Sequence, residues 1–416
     1  MNIDPKTGIL AFGLVLSQLG GLDAQQVAAT YPQVEISQAQ AQAVEAYWTP
    51  ARMASAVPMT PPERLVEHLP SQQSLPVIVG NPGFVNGWQP GSGPYVEQIQ
   101  TFSRSELPSL GFPQAFGVPP SNPQTGPYGP FQRWSMQGAY LIWPRSVHGK
   151  LFFSFGTSNF VCSATVIGLS TIATAGHCVS DGAGVFASNF LFCPSYNQGG
   201  VNPSRGCWAW ALAATSGEWH ANGDPDFDYA CIVTPLTGTV IANKIGNVTG
   251  TAGRAWNWVD VPEMTFGYPQ AAPFGGTIIQ QTASVDWYNV DFVAGGQVSK
   301  VIGSDLTGGS SGGGWFLSWR HPNAEVVDTD GNSGTDPAGA QNGPFINGVN
   351  SHKRCAVNCG SPPTPTTGIF WQEMTSPPFL STPAIDESED IFATCLGHAN
   401  NSAPASGGTA ASRLKK

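Results

Sequence analysis

All eight cysteines of this 416-residue chain lie beyond residue 161: Cys162, Cys178, Cys193, Cys207, Cys231, Cys355, Cys359 and Cys395. An even set behind an export leader reads as a disulfide framework, which places the covalently stapled body in the later part of the chain. The leader is the apolar run Gly8 to Leu19, with Lys6 before it and small residues after it, as in a cleavable signal peptide over residues 1–24. A buried N-terminal helix is the competing use of that run. It is short for a bilayer, and no later stretch reaches the ~18–20 apolar residues of a membrane helix. A secreted, extracellular protein with no membrane partner is expected. Zinc is the other common use of cysteine, but the set contains no Cys-x-x-Cys pair and no matched histidine spacing. No metal or organic cofactor is expected.

Composition narrows the fold class. Gly (50) and Pro (36) are abundant while charged residues are only 11%, which favours short strands joined by turns over long amphipathic helices. An all-β body is therefore expected. The 17 Lys and Arg against 27 Asp and Glu, a net charge of -10, supply no basic footprint for a phosphate backbone, so nucleic acid is excluded as the main partner.

The texture changes along the chain. Residues 25–145 lack cysteine, are rich in Pro, Gln, Ala and Ser, and carry one helical stretch from Ser37 to Trp48. They read as a propeptide or N-terminal extension that does not easily bury a core of its own. From Gly149 the chain turns to β-branched and aromatic runs bounded by turns, among them Leu151–Phe155, Ala164–Ile167, Thr171–Ala173 and Ala230–Val233. A body over residues 146–380 is expected, followed by a flexible tail over 381–416.

Three motifs carry chemistry. Cys162-Ser-Ala-Thr-Val-Ile-Gly-Leu-Ser-Thr-Ile-Ala-Thr-Ala-Gly-His177-Cys178 is a hydrophobic hairpin that delivers a histidine beside a cysteine. Asp224-Pro-Asp226-Phe-Asp228-Tyr-Ala-Cys-Ile-Val offers three carboxylates before an apolar strand. Thr307-Gly-Gly-Ser310-Ser311-Gly-Gly is a turn of small residues whose backbone N–H groups can curl around one point; alone it could equally be a Gly-Ser linker. A base, a carboxylate to hold it, a hydroxyl and backbone donors are what acyl transfer at a peptide bond needs.

Together these motifs resemble the trypsin-like (chymotrypsin-fold) serine proteases, from about Gly149 to Leu317 and more weakly over Asn347 to Ser351. Gly267-Tyr-Pro269 and the Thr-Gly-Gly-Ser-Ser form of the serine motif are similar to the secreted microbial glutamyl-endopeptidase-like branch. The resemblance implies two six-stranded antiparallel β-barrels after the Pro/Gly-rich N-terminal region, and a His177, Asp228, Ser311 triad in the order His, Asp, Ser. It implies an oxyanion hole from the N–H groups of Gly309 and Ser311, and a Cys162–Cys178 disulfide. Asp224 and Asp226 are expected in an exposed turn. Cys193 with Cys207 and Cys355 with Cys359 are plausible by proximity, leaving Cys231 and Cys395.

The substrate-binding positions the resemblance implies are Asp305, six residues before Ser311, together with Thr307 and the strand Val349-Asn350-Ser351-His352. Asp305 occurs in proteases of more than one specificity, and His352 sits where a one-residue slip in register would turn its imidazole to the other face. Ser310 stands where the digestive enzymes keep the Asp that receives the new N-terminal amine, so a zymogen would have to be unmasked in another way. The expectation is a monomeric serine endopeptidase acting on protein or peptide substrates. Its rivals are a catalytically silent protease-fold binding protein and an esterase using the same triad. Asp328–Asp336 has the look of a calcium loop but lacks the turn Gly and the twelfth-position Glu, and reads as an acidic surface loop.

Overall fold

The turn-bounded apolar runs pair as the strands of two sheets. The computed structural model describes residues 31–59, 81–90, 99–101, 131–135, 140–258, 262–290, 292–293, 297–317, 344–353, 373–381 and 388–402. The expected signal peptide, Cys355, Cys359 and the acidic loop 328–336 lie outside these residues.

Five short strands precede the expected body: β1 (Gln33–Glu35), β2 (Val57–Pro58), β3 (Gly83–Val85), β4 (Ile99–Thr101) and β5 (Phe131–Ser135). Then come β6 (His148–Phe155), β7 (Ser158–Val166), β8 (Thr171–Thr174), β9 (Ser188–Pro194), β10 (Leu212–Thr215) and β11 (Ala230–Val233). The remainder are β12 (Gly253–Trp256), β13 (Pro262–Gly267), β14 (Gln280–Val290), β15 (Ser299–Gly303), β16 (Gly314–Leu317), β17 (Phe345–Val349) and β18 (Glu373–Ser376). The first sheet runs β1-β10-β11-β8-β7-β6-β9, with β2 on β7. The second runs β18-β15-β14-β13-β16-β17-β12-β3-β4, with β5 on β14. The all-β class and the division into two sheets are as expected.

The sheets have eight and ten strands, where six and six were expected. All but one of the surplus strands come from the N-terminal region: β1 and β2 join the first sheet, and β3, β4 and β5 join the second, which leaves six strands from the expected body in the first and seven in the second. Sheet edges offer unpaired N–H and C=O groups, and this extension covers several of them. Two pairings, β2 with β7 and β12 with β17, are parallel, so the sheets are not antiparallel throughout.

The extension also reaches the core. Helix α1 (Gln38–Tyr47) starts in a capping box between Ser37 and Gln40, which satisfies two otherwise orphaned N–H groups. Just past its end, Trp48 is 4% exposed, packs on Phe152 and donates its indole N–H to the Asn189 carbonyl at 2.6 Å. Strand β6 can thus be buried on both faces, by its own sheet's interior and by this N-terminal helix. The folded body therefore begins well before Gly149.

At the other end, residues 388–402 are not a flexible tail. Helix α2 (Ser388–Leu396) buries Ile391 and Phe392 completely, and a Cys231–Cys395 disulfide staples it to β11. A single turn of apolar spacing was masked in the sequence by the acidic residues around it. Cys162–Cys178 and Cys193–Cys207 are the other disulfides among the described residues.

Candidate active site

The hairpin of β7 and β8 delivers His177. Thr165 and Val166 pair with Ala173 and Ile172, and the chain then leaves β8 into a 3₁₀ turn, Gly176–Cys178, pinned by the Cys162–Cys178 disulfide. Glycine is needed before the histidine: a Cβ at Gly176 would stand 2.7 Å from the Trp219 ring and 3.0 Å from Asp228 Oδ1. His177 is fully buried, with its ring edge-on to Trp219.

Asp228 meets it from the start of β11. Its Oδ2 accepts from His177 Nδ1 at 2.7 Å and its Oδ1 from the His177 backbone N–H at 2.7 Å, so that one carboxylate fixes both the ring and the turn carrying it. Ser351 Oγ adds a third hydrogen bond, 2.5 Å from Oδ2. Burial pushes the Asp228 carboxyl up, but the charge and hydrogen bond of His177, the His352 imidazole and the Ser351 hydroxyl together hold it below the ordinary carboxylate range. With Nδ1 engaged, Nε2 of His177 is the basic position; it is buried and has no hydrogen-bond partner among the described residues.

The two neighbouring carboxylates do other work and are buried, contrary to the exposed turn expected for them. Asp224 accepts from the Asp226 N–H as the cap of the 3₁₀ turn Pro225–Phe227. Asp226, fully buried, accepts from Ser299 Oγ at 2.6 Å and from the Phe292 N–H at 3.1 Å, tying this turn to the second sheet. Alternation of side-chain direction over Asp224-Pro-Asp-Phe-Asp does not reveal this, because both contacts are to residues more than sixty positions away.

Ser311 sits in a turn held from both sheets. Gly309 and Gly312 have φ of +96° and +78°, a region that side chains strain to enter. From the second sheet, the Gly312 N–H donates to the Asn350 carbonyl at 2.8 Å and Asn350 Nδ2 donates to the Ser310 carbonyl at 3.0 Å. From the first, the Ser163 N–H donates to the Ser311 carbonyl at 2.7 Å and Ser163 Oγ to the Gly309 carbonyl at 2.9 Å. A Cβ on Gly312 would lie 2.0 Å from Thr174 Oγ1 and 2.8 Å from the Ala175 nitrogen, so the turn touches the chain that leads into His177. Among the described residues neither the Gly309 N–H nor the Ser311 N–H donates a hydrogen bond.

Three searches bear on kinship. No protein-family model matches the sequence, and no curated protein matches it. Among solved structures, the protease Anisep from Arthrobacter nicotinovorans is 26% identical, covering 61% of this chain and 96% of its own, with a TM-score of 0.46. The thermostable serine protease AL20 from an extremophilic microorganism is 30% identical, covering 56% of this chain and 91% of its own, with a TM-score of 0.43. A Glu endopeptidase in complex with MPD is 18% identical, covering 65% and 99%, with a TM-score of 0.41. These bacterial serine proteases and the Glu endopeptidase are what the chain is similar to, each with a TM-score below 0.5.

The remaining expected substrate positions lie around two opposite charges. Asp305 is one-quarter exposed and pairs with Arg133 of β5, Nε to Oδ2 at 2.9 Å. Lys353 donates to the Ser304 carbonyl at 3.1 Å; burial pulls its ammonium down to about 7, with Asp305 and Glu373 acting the other way. Thr307 Oγ1 is turned to the Ala271 carbonyl, and Val349 and Asn350 are fully buried, Asn350 as the bracket of the serine turn. His352 is 2% exposed, its ring against Trp219, Phe292 and His177.

Ser163, Trp219 and Gln270 were not singled out from the sequence. Ser163 follows Cys162 directly and was legible only as part of the hairpin. Gln270 receives its partner, the Gly308 carbonyl, through its backbone N–H and sends Nε2 to the Ala56 carbonyl, a link no local pattern encodes. Among the described residues there are two groups of metal-type side chains. Cys162 and Cys178 of the first are in a disulfide, while in the second, His177, Asp228 and His352, both Asp228 oxygens are already engaged by His177 and Ser351.

Proposed function

We propose that this protein is a serine endopeptidase that hydrolyses peptide bonds through an acyl-enzyme, with Ser311 as nucleophile, His177 as general base and acid, and Asp228 as its orienting carboxylate. The observation that carries the reading is the His177–Asp228 pair, which leaves a buried Nε2 without a hydrogen-bond partner among the described residues, while the serine turn abuts the chain that leads into His177 at Thr174 and Ala175. Nε2 takes the Ser311 proton as Oγ attacks the carbonyl carbon. The tetrahedral oxyanion is received by the N–H groups of Gly309 and Ser311, each worth roughly 3–4 kcal/mol of barrier. The imidazolium then protonates the leaving amine, and water repeats the sequence on the acyl-enzyme. Asp228 stays ionised throughout and stabilises the imidazolium.

The class of substrate is protein or peptide, with the P1 side chain received near Asp305, Thr307 and Val349–His352. Secretion as a monomeric zymogen belongs to the same reading. The disulfides suit an oxidising compartment, and no helix among the described residues is long and apolar enough to cross a membrane. Arg133, in the expected propeptide, is paired with Asp305, so removing that region would free this carboxylate. Because Ser310 is bonded to the Thr307 carbonyl and has no carboxylate to offer, activation would not run through a salt bridge at that position.

The test is a fluorophosphonate probe on the secreted protein, with mapping of the adduct by peptide mass. Labelling at Ser311 that Ser311→Ala abolishes is the expected result. Folded, processed protein that takes no label sinks the reading in favour of a silent binding protein, and hydrolysis of esters without peptides would favour an esterase.

A further inference from the structure

We propose that His352 is a positioning residue for the His177–Asp228 pair, acting through the hydroxyl of Ser351. The proposal rests on the protease reading above and goes beyond it, because it gives a role to a side chain outside the triad.

Ser351 Oγ lies 2.5 Å from Asp228 Oδ2 and 2.5 Å from His352 Nδ1. A hydroxyl has one proton, and with two acceptors in reach it could point either way. The surroundings of Nδ1 decide. It also stands 3.4 Å from Asp228 Oδ2, and a lone pair aimed at a carboxylate held in its ionised form would be repelled, so Nδ1 carries the proton. Nδ1–H then donates to Ser351 Oγ, and the hydroxyl proton has Asp228 as its acceptor. The result is a directed chain of hydrogen bonds, His352 to Ser351 to Asp228, ending on the oxygen that also receives the His177 ring.

The imidazole is held where this requires. The His352 N–H donates to Thr375 Oγ1 at 3.0 Å, and the Thr375 N–H donates to the His352 carbonyl at 2.8 Å, so β18 fixes its backbone on both sides. Its ring lies 5.6 Å from that of His177, 5.9 Å from Trp219 and 5.8 Å from Phe292. Asp228 and His177 are the titratable groups that face it, and Lys353 follows it in the chain. Asp228 Oδ2 thereby lies 2.7 Å from Nδ1 of one imidazole, His177, and 3.4 Å from Nδ1 of another, His352.

The sign of the effect follows. Each hydrogen bond to Asp228 draws off negative charge and lowers its power to stabilise an imidazolium on His177. Losing the His352 Nδ1–H would leave the Ser351 hydroxyl a weaker and less firmly held donor to Asp228, and so raise the basicity of His177 and loosen the carboxylate that orients it. The acid limb of kcat/KM would then move to higher pH while kcat falls.

The experiment uses the protein as secreted from the full-length chain and compares His352→Phe, His352→Asn, Ser351→Ala and the double variant His352→Phe with Ser351→Ala. His352→Phe is expected to lower kcat about tenfold, the size of one lost hydrogen bond, with KM within about twofold. Its acid limb should shift upward in pH. His352→Asn presents an amide N–H where Nδ1–H stood and should recover most of kcat and the wild-type limb. In the Ser351→Ala background, His352→Phe should cost little more, because the residue acts through that hydroxyl. Additive losses in the double variant, or an unmoved acid limb, would overturn the proposal. Thermal unfolding reports folding of each variant; if His352→Phe does not fold, His352→Asn decides alone, support being a wild-type limb and refutation a shifted one with lowered kcat. Wild-type protein that takes no fluorophosphonate label at Ser311 would overturn the protease reading itself, a result separate from labelled enzyme with additive variants.

Discussion

The backbone N–H of Ser163 donates to the carbonyl of Ser311 across the two sheets at 2.7 Å. The strand that carries Cys162 thus clamps the serine turn, and the side chain of the same residue repeats the clamp by donating to the Gly309 carbonyl while accepting from the Tyr268 N–H. Ser163→Ala would strand both groups in a buried place. A loss of about 1–3 kcal/mol in denaturant unfolding is expected, with kcat lowered up to about tenfold as Gly309 shifts. Unchanged kcat and stability together would remove Ser163 from the machinery.

Asp228→Asn keeps the shape of the carboxylate but offers an amide where His177 needs an acceptor. By analogy with triads elsewhere, kcat should fall by roughly 10⁴-fold with the wrong tautomer of His177 enforced. Steady-state kinetics beside a thermal melt would separate this from unfolding, and a loss below about tenfold would point to a different base.

Gly312→Ala tests the serine turn as a steric object. The backbone is at φ +78°, and the added methyl would meet Thr174 Oγ1 at 2.0 Å and the Ser163 carbonyl at 2.4 Å. The two sheets would have to part at the cleft. Fluorophosphonate labelling should be lost even if far-ultraviolet circular dichroism is retained, whereas full labelling would show that the turn tolerates displacement.

Acid stability should carry the signature of His148. Burial, then the neighbouring Arg145 charge, pull its pKa down to about 3, and its ring stacks on Phe266 at 4.3 Å. The unfolded chain takes up that proton near pH 6.5 and the folded one only near 3. Stability is therefore fully present above about 6.5 and falls as pH drops towards 3, with a slope approaching about 1.4 kcal/mol per pH unit from this group. Urea unfolding from pH 7 to 4 would show it, and His148→Phe should flatten the slope in that window. Asp228, depressed below the ordinary carboxylate value, adds its own loss only at the acid end of the range.

Cys231→Ser combined with Cys395→Ser would release α2 from β11. The bond closes a loop of 164 residues, for which chain entropy suggests stabilisation of about 5 kcal/mol. Ile391 and Phe392 would keep part of the contact. A marked fall in the unfolding midpoint without change in KM is expected, since the helix is remote from the substrate positions.

Much of the candidate site was legible in one dimension. The Ala-Gly-His177-Cys178 turn, the carboxylate heading an apolar strand and the glycine-flanked Ser311 are local devices, each made by a few consecutive residues whose backbone needs are written in their side chains. The strand-rich class followed from turn residues and sparse charge, and Ala230–Val233 is a strand over the range its apolar run suggested. What tertiary structure alone decided depends on residues far apart in the chain meeting at one place. Strands β1 to β5 were unreadable because a segment of so few residues becomes a strand only where a sheet edge offers its hydrogen-bonding groups. Asp226 and Asp228 look alike in sequence, yet one faces Ser299 and the other His177, since only the packing of the two sheets sets which partner lies within reach. The turn of His352 towards Asp228 is of the same kind: the strand's register against β18 orients the ring, and register is a property of the pair.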